Sequence, residues 1–292
     1  MTPKKFEYIE ANTVEDAVSL LVKYKDEAKL LAGGQSLLSL MKLRRAAPQY
    51  LIDLNKIDGL SGINELPDGG LSIGAMTRHY MIENSELIQS RYPILCESTS
   101  KIGDPHIRSR GTLGGALCHA DPSADSPPVV KALEAEFKLQ GPNGTRIVKA
   151  RDFFEDMFTT TMSSDEIMIE INIPKLAPRT GQSYIKFSRR EGDFAIVAVA
   201  IVITLDEQRI CTKARIDLSG VDSKPITATK TEEFLIGKEL SDAVIDEAAS
   251  TVPGQVKPGG DVHGSAEYRS AMSEVFTKKA LIQAKANVGS LN

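Results

Sequence analysis

Apolar and polar positions in residues 1–57 follow the order strand, helix, strand, strand. From Val14 to Leu21 the apolar positions recur at the spacing of one helical face, and Thr13 stands where it can cap that helix, with Asp16 three residues later. Three short apolar runs predict strands at 6–9, 28–32 and 50–54. Because strands that alternate with a helix favour a small parallel sheet, we expect a ligand crevice at the carboxyl ends of these strands.

Two turn-rich stretches divide the rest of the chain. Residues 58–70 are rich in Gly, Asn, Pro and Asp, and residues 174–181 hold two prolines and a glycine. Between these stretches the pattern predicts strands at 71–75 and 167–173, helices at 77–83, 92–102 and 126–133, and a hairpin over 137–148. Beyond them it predicts an antiparallel meander at 184–187, 194–205 and 210–218, and then helices at 231–236, 241–250 and 265–286. The sequence therefore predicts three units, at 1–57, 58–176 and 177–292.

The charge balance and the cysteines exclude several classes of protein. The chain has 35 Lys and Arg against 39 Asp and Glu, so it lacks the basic excess of a nucleic-acid-binding protein. Its longest apolar stretch, residues 194–205, is shorter than the roughly 20 residues of a membrane-spanning helix, and residues 1–5 lack the apolar core of a signal peptide. The cysteines are too scattered for a C-x-x-C metal site or a disulfide framework, and they stand at Cys96, Cys118 and Cys211. We expect a soluble, cytoplasmic protein with no metal site.

Two glycine pairs carry the strongest chemical signal. Each pair lies beside a hydroxyl side chain, in residues 32–36 (AGGQS) and in residues 112–116 (TLGGA). Glycine lets a phosphate oxygen approach the main chain, and it permits the positive φ at which successive N–H groups converge on one anion. Each pair is expected to form a turn after a strand, so we predict one diphosphate held from two parts of the chain. Neither segment reads G-x-G-x-x-G, which disfavours a nicotinamide dinucleotide on a Rossmann unit.

Residues 104–124 are predicted to form the main functional loop, because they are dense in Gly, Pro, Ser, Asp, Arg and His. His106 and His119 lie there among carboxylates, but their spacing matches no compact metal site, so we expect them to make hydrogen bonds within the loop. Asp125 precedes a helix that Ser126 can also cap, which leaves the Asp125 carboxylate free to accept from a sugar hydroxyl. We find no nucleophile and base at the spacing of a hydrolase.

Four successive motifs resemble the medium, FAD-binding subunit of the molybdenum hydroxylases, the family of the carbon monoxide dehydrogenase, xanthine dehydrogenase and aldehyde oxidoreductase flavoproteins. The motifs are AGGQSL at 32–37, IRSRGTLGG at 107–115, HADPSAD at 119–125 and KFSRR at 186–190. They occur in the family's order, and the resemblance covers essentially the whole chain. It implies an α+β fold of the vanillyl-alcohol-oxidase type, with a small N-terminal α/β unit, a larger middle α+β unit, and a C-terminal antiparallel sheet with helices.

The resemblance also implies a cofactor and its contacts. FAD would be held at its diphosphate by Ala32, Gly33, Gly34, Gln35 and Ser36 from the first unit and by Thr112, Leu113, Gly114 and Gly115 from the second. Asp125 would hydrogen-bond the ribityl or ribose part, and Lys186 would lie near the isoalloxazine. No catalytic residue and no metal ligand is implied. On this basis we expect Gly33→Val or Gly114→Val to abolish flavin retention, because the new side chain would fill the place of a phosphate oxygen.

In the family that the chain resembles, this subunit transfers electrons and does not hydroxylate the substrate. A large molybdopterin-containing subunit would oxidise an aldehyde or a related compound, and a small subunit with two [2Fe–2S] clusters would relay the electrons. FAD would then pass them to an external acceptor, since a flavin carries the redox chemistry itself.

Two other functions stay open on the sequence alone. A free-standing FAD-dependent oxidase would need a side chain that takes a proton beside the flavin, and His106 and His119 are the candidates. A non-redox protein that only binds a dinucleotide, or that serves as a scaffold, would need neither. A yellow preparation excludes the scaffold, and co-purification with larger and smaller partners favours the subunit over the oxidase.

Overall fold

The computed structural model describes residues 2–289, and the first unit is a small parallel sheet. Its elements are β1 (Glu7–Glu10), α1 (Val14–Tyr24), β2 (Ala28–Leu31), α2 (Leu37–Lys42) and β3 (Tyr50–Asp53). β3 pairs in parallel with β1 on one side and with β2 on the other. Thr13 Oγ1 accepts a hydrogen bond from Asp16 N at 3.0 Å. The predicted strands, parallel pairing and helix cap are thus confirmed, and the carboxyl end of β2 leads directly into the first glycine pair.

The second unit is built on a five-stranded antiparallel sheet. Its first half contains β4 (Ile63–Glu65), β5 (Leu71–Gly74), α3 (His79–Glu83), α4 (Glu86–Arg91), α5 (Pro93–Ser100), α6 (Pro105–Arg110) and α7 (Leu113–His119). Its second half contains α8 (Ser126–Ala132), β6 (Glu136–Gly141), β7 (Gly144–Lys149), α9 (Ala150–Phe153), β8 (Phe154–Asp156), β9 (Thr159–Thr160) and β10 (Ile167–Ile173). The sheet runs in the order β4, β5, β10, β6, β7, and β8 pairs with β9 in a separate ribbon.

The prediction of a loop over residues 104–124 is wrong. α6 begins behind Asp104, whose Oδ1 accepts from Ile107 N at 2.9 Å, and α7 begins behind Thr112. The two helices have only six and seven residues, which is too few for a 3.6-residue apolar period to be recognised, and α7 holds a glycine pair in its first turn. α2 and α4, with six residues each, are absent from the predicted elements for the same reason.

The third unit is the predicted antiparallel meander with helices. It contains β11 (Thr180–Phe187), β12 (Val197–Leu205), β13 (Cys211–Ser219), β14 (Ile226–Thr227), α10 (Thr229–Leu235), α11 (Asp242–Ser250) and α12 (Ala266–Ala286). The strands pair antiparallel in chain order. Two short 3-10 turns, Lys25–Glu27 and Val252–Gln255, complete the regular structure within residues 2–289. The α+β class predicted from the sequence is confirmed.

β12 belongs to two hydrophobic cores at once. Ala198 and Ala200 face the core of the second unit, whereas Val199 and Ile201 face the core that α11 and α12 cover. Because successive side chains of a strand point to opposite faces, a continuous apolar run is what such a central strand requires. The core of the second unit therefore continues into the third. The three predicted units stay a prediction, and residues 1 and 290–292 at their ends lie outside the described residues.

A buried ion pair crosses the same interface. Lys131 of α8 places its Nζ 3.2 Å from Asp217 Oδ1 of β13, and it also donates to Pro225 O at 2.6 Å. The Asp217 side chain is fully buried and the Lys131 side chain is 6% exposed. Two opposite charges buried this deeply depend on each other, because neither has water to solvate it.

None of the helices within residues 2–289 combines the length and the apolar character needed to cross a bilayer.

Candidate functional site

The two glycine segments lie against each other in the fold. A Cβ built on Gly33 would stand 2.2 Å from Arg110 O and 2.8 Å from Gly111 Cα. A Cβ built on Gly115 would stand 3.4 Å from the Cβ of Ala32. The main chains of the first and second units therefore touch here, and a residue other than glycine at position 33 would force them apart.

Residues 33–37 present a run of unused backbone donors. None of their N–H groups donates to another residue in the part of the chain that the structure describes. Gly34 has a φ of +76°, as expected for a turn that makes neighbouring N–H groups converge. The Ser36 hydroxyl caps no helix N–H group. Converging main-chain donors of this kind are a recognised anion-binding arrangement.

The second glycine segment differs from its predicted form. It follows α6 rather than a strand, and it starts α7, where Thr112 Oγ1 accepts from Gly115 N at 3.1 Å. Leu113 N donates to Thr77 O and Gly114 N donates to Ala75 O. The prediction that a strand precedes this turn is wrong, and the N–H groups of Leu113, Gly114 and Gly115 already have protein acceptors. Their contact with a diphosphate stays a prediction.

The glycines of this second segment serve close packing. A Cβ on Gly114 would stand 2.6 Å from the Cβ of Ala75, and neither Gly114 nor Gly115 has a positive φ. Gly114→Val was expected to abolish flavin retention by filling the place of a phosphate oxygen. The structure gives a different cause for such a loss, because the valine would first collide with Ala75.

Asn55 and Arg78 join the two segments, and neither is among the site residues predicted from the sequence. The Arg78 guanidinium donates to Arg110 O and to Asn55 Oδ1, while Asn55 Nδ2 donates to Ala32 O at 3.0 Å. Neither residue belongs to a recognisable motif: Asn55 lies two residues after β3, and Arg78 is the N-cap residue of α3. Only the spatial meeting of the two units reveals their role.

Asp125 and Lys186 meet in the interior. Lys186 Nζ lies 3.0 Å from Asp125 Oδ2 and donates to Lys101 O at 2.9 Å, while the Tyr184 hydroxyl donates to Asp125 Oδ1. Burial raises the pKa of the Asp125 carboxyl, and the Lys186 charge opposes that rise. The two residues that the resemblance assigned to the flavin are therefore brought together, with their charges paired. Their contact with a ligand stays a prediction.

The helix after Asp125 begins without a side-chain cap. Asp125 stands at the N-cap position of α8 but accepts no helix N–H group, and the Ser126 hydroxyl has no partner among the described residues. The expectation that Ser126 caps this helix is wrong. The next two residues are Pro127 and Pro128, and they have no N–H group to donate.

The candidate metal ligands have other partners. Asp104 caps α6, and Asp121 Oδ1 accepts from Ser123 N at 2.9 Å. The His119 ring packs against the Phe158 ring with centroids 5.0 Å apart, whereas His106 is exposed. Within residues 2–289 no three His, Cys, Asp or Glu side chains converge on a metal position.

His79 packs against Gly111 beside the junction, and it is not among the residues predicted from the sequence either. It is 3% exposed, its N donates to Gly111 O at 3.0 Å, and a Cβ on Gly111 would stand 2.8 Å from its Cδ2. Burial, assisted by the charges of Arg108 and Arg78, lowers the pKa of His79 to about 4. The imidazole is therefore neutral at pH 7 and packs as an uncharged ring.

This pKa predicts a loss of stability in acid. The unfolded imidazole takes up a proton near pH 6.5, whereas the folded one stays neutral until about pH 4. The contribution of His79 to stability is thus full above pH 6.5 and is lost as the pH falls toward 4, by about 3 kcal/mol in total. Urea unfolding from pH 7 to pH 4 should show this slope in the wild type and a smaller slope in His79→Gln. His106→Gln, at an exposed position, should keep the wild-type slope; equal slopes in wild type and His79→Gln would contradict the assignment.

Comparison with known proteins adds a family to this geometry. The family described as FAD binding domain in molybdopterin dehydrogenase matches residues 4–176, and the one described as CO dehydrogenase flavoprotein C-terminal domain matches residues 182–284. Subunit alpha of the 6-hydroxypseudooxynicotine dehydrogenase complex of Paenarthrobacter nicotinovorans is 38% identical over 97% of this chain and 96% of its own length. The glyceraldehyde dehydrogenase medium chain of Sulfolobus acidocaldarius is 38% identical over 96% and 98%. A solved chain of carbon monoxide dehydrogenase from Hydrogenophaga pseudoflava superposes with a TM-score of 0.96 at 40% identity, covering 99% of this chain and 100% of that one.

Proposed function

This chain belongs to the family of FAD-binding medium subunits of molybdenum hydroxylases, and from that premise we propose that it is the FAD-carrying electron-transfer subunit of a heteromeric oxidoreductase. The observation that carries the proposal is the run of unused N–H groups at residues 33–37, held against the second unit at Arg110. A diphosphate needs several donors at close range, and a main chain without Cβ atoms provides them.

The described residues fit FAD in a way that differs in part from the sequence prediction. We propose that Ala32, Gly33, Gly34, Gln35 and Ser36 hold the diphosphate through the main chain. The wall opposite this segment is formed by Thr112, Leu113, Gly114 and Gly115. The hydroxyl of Thr112 and the close packing of the two glycines hold this main chain near the first unit. Asp125 and Lys186 lie in a buried pair that would face the ribityl or the ring system.

When bound, FAD supplies the redox chemistry, because its ring system accepts and releases electrons. The residues of this chain bind and orient it, and the charges near it adjust how readily it holds electrons. No observation favours a free-standing oxidase, since His106 is exposed and His119 packs on Phe158. A heteromeric assignment is supported by the relatives, which are named as a subunit of a complex and as a medium chain.

We propose a large molybdopterin-containing subunit and a small [2Fe–2S] subunit as the partners, with an external acceptor for the electrons. The substrate would bind to the large subunit, and an aldehyde is the class we propose, which the name of the glyceraldehyde dehydrogenase relative supports. The cytoplasmic location stays a prediction from the sequence.

Purification of the full chain tests the function. We expect a yellow protein that binds one FAD per chain, shows no aldehyde turnover by itself, and co-purifies from its source with a larger and a smaller partner. Absorbance, mass spectrometry of the native complex and metal analysis measure these points. A colourless protein that takes up no FAD would contradict the proposal, and rapid aldehyde oxidation by the isolated chain would favour the free-standing oxidase instead.

A further inference from the structure

Arg78 lies at the junction of the two glycine segments, and no carboxylate among residues 2–289 forms an ion pair with its guanidinium. The acceptors that the structure shows for it are neutral oxygens, Arg110 O and Asn55 Oδ1. Arg110 O is also the atom nearest to the Cβ position of Gly33, and Asn55 in turn donates to Ala32 O. The positive charge of Arg78 is thus placed directly beside the main chain that starts the run of unused N–H groups.

A second guanidinium adds to this charge. The Arg110 side chain is exposed and contacts no acceptor among residues 2–289. Burial lowers the pKa of Arg78, and the positive charge of Arg110 lowers it further, so the two cations lie near enough to repel each other. Asp53 is the acidic neighbour that opposes this effect, but its carboxylate already accepts from the Tyr8 hydroxyl and from Asn55.

The junction therefore holds an excess of positive charge together with main-chain donors that have no acceptor among residues 2–289. Both features favour a bound anion, because a partly buried cation and a main-chain N–H group without a protein acceptor each gain from a negatively charged oxygen. One ligand with charge spread along a chain of phosphates would satisfy both.

We propose that Arg78, assisted by Arg110, is the counter-charge that binds the diphosphate of a dinucleotide at residues 33–37. This inference rests on the proposed function, and it assigns the charge recognition to side chains that belong to neither glycine motif. Because Arg78 also bridges Asn55 of the first unit and Arg110 O of the second, a bound diphosphate would tighten the junction between the units.

Ligand titration of the flavin-free full chain tests this assignment, with FAD, ADP and adenosine as probes. ADP carries the diphosphate without the flavin, and adenosine carries neither the diphosphate nor the flavin. We expect Arg78→Gln to weaken FAD and ADP by at least about tenfold at low salt, with a smaller difference at high salt, as for the loss of a charge-assisted hydrogen bond. Adenosine binding should not change. Arg78→Lys, which keeps the charge but not the bidentate hydrogen bonding of a guanidinium, should recover part of the affinity.

A surface arginine provides the matched control. Arg91→Gln removes the same charge at an exposed ion pair with Glu65 and touches neither glycine segment, so its affinities should equal those of the wild type. Arg110→Gln covers the case in which Arg78→Gln does not fold, because the Arg110 side chain is exposed and makes no hydrogen bond or ion pair with the described residues. It should weaken ADP binding by about threefold or more at low salt.

Each result decides one of the two proposals. The inference is overturned if the wild type binds FAD while the Arg78→Gln and Arg110→Gln chains bind ADP within about twofold of it at low salt. A weakened ADP affinity that does not depend on salt, and that Arg78→Lys does not improve, would show a purely structural Arg78 and would also overturn it. A wild-type chain that binds neither FAD nor ADP would instead overturn the proposed function.

Discussion

Replacing Gly33 with alanine is expected to abolish flavin retention and to lower the free energy of unfolding by about 3 kcal/mol or more. The new Cβ would stand 2.2 Å from Arg110 O, much closer than van der Waals contact allows. Neither atom can rotate away, because the main chain fixes the position of a Cβ and Arg110 O belongs to the main chain. The first and second units would have to separate by about 1 Å, which overpacking makes costly. The separation would also draw residues 33–37 away from Arg78.

Flavin absorbance per chain and urea unfolding measure the two effects of Gly33→Ala. Gly254→Ala is the matched control, because a Cβ there meets nothing within 4 Å and its φ is not positive. Gly114→Ala should also destabilise the fold, through Ala75, but it leaves the N–H groups of residues 33–37 unchanged. Normal stability and a full complement of FAD in Gly33→Ala would show that the two units do not approach as described.

Replacing Lys131 with methionine is expected to destabilise the protein by about 3–5 kcal/mol. The substitution removes the cation that lies 3.2 Å from Asp217 Oδ1 and leaves a fully buried carboxylate without its ion-pair partner, with only the more distant charge of Arg151 to oppose its burial. The other oxygen, Asp217 Oδ2, already has no partner among the described residues, so only the Thr227 hydroxyl would remain as a donor to the side chain.

The same variant should become less stable as the pH rises. Burial raises the pKa of Asp217, and Lys131 is the largest influence that lowers it again, so the variant should have a still higher folded pKa. A carboxyl whose folded pKa is raised favours folding below its unfolded pKa, and that advantage is lost as the pH rises through the folded pKa. The deficit of Lys131→Met against wild type should therefore be smallest in acid and largest at neutral pH.

Two variants serve as controls for the ion pair. Lys56→Met breaks a pair with Glu10 in which both side chains are well exposed, and it should cost no more than about 1 kcal/mol. Lys131→Met combined with Asp217→Leu removes both buried charges and should recover much of the loss. Unfolding in urea measures all of them, and a deficit for Lys131→Met that equals that of Lys56→Met would contradict the buried pairing.

The elements that sequence reasoning found are those whose pattern is long enough to be periodic. The parallel strands around α1, the apolar run of β12 and the 21-residue α12 were predicted because each repeats its own period over many residues or stands between clear turns. The short helices α6 and α7 were missed, since six or seven residues are too few to show a period, α6 is polar, and α7 begins with a glycine pair that is typical of a turn. The absence of a cap on α8 was readable in Pro127 and Pro128, which have no N–H groups.

The residues predicted to bind the diphosphate stay a prediction, and the structure gives the two glycine pairs different surroundings. The glycine pair at residues 33 and 34 was identified as an anion-binding segment, and its unused N–H groups agree with that interpretation. The glycine pair at residues 114 and 115 has another origin, because it allows α7 to pack against Ala75 and Ala32. Arg78, Asn55 and His79 escaped prediction altogether, since a single arginine, asparagine or histidine at the start of an ordinary element carries no pattern.

The local features of this protein follow from its sequence: which stretches form strands or long helices, where a glycine pair opens the main chain, and which family the chain resembles. The tertiary structure alone decided which distant residues meet. The contact of Gly33 with Arg110, the bridge that Arg78 makes between the first two units and the pairing of Lys131 with Asp217 all join residues 23 to 86 positions apart. Local periodicity reports only on neighbours within a few residues, whereas packing and charge act between whatever the fold brings into contact.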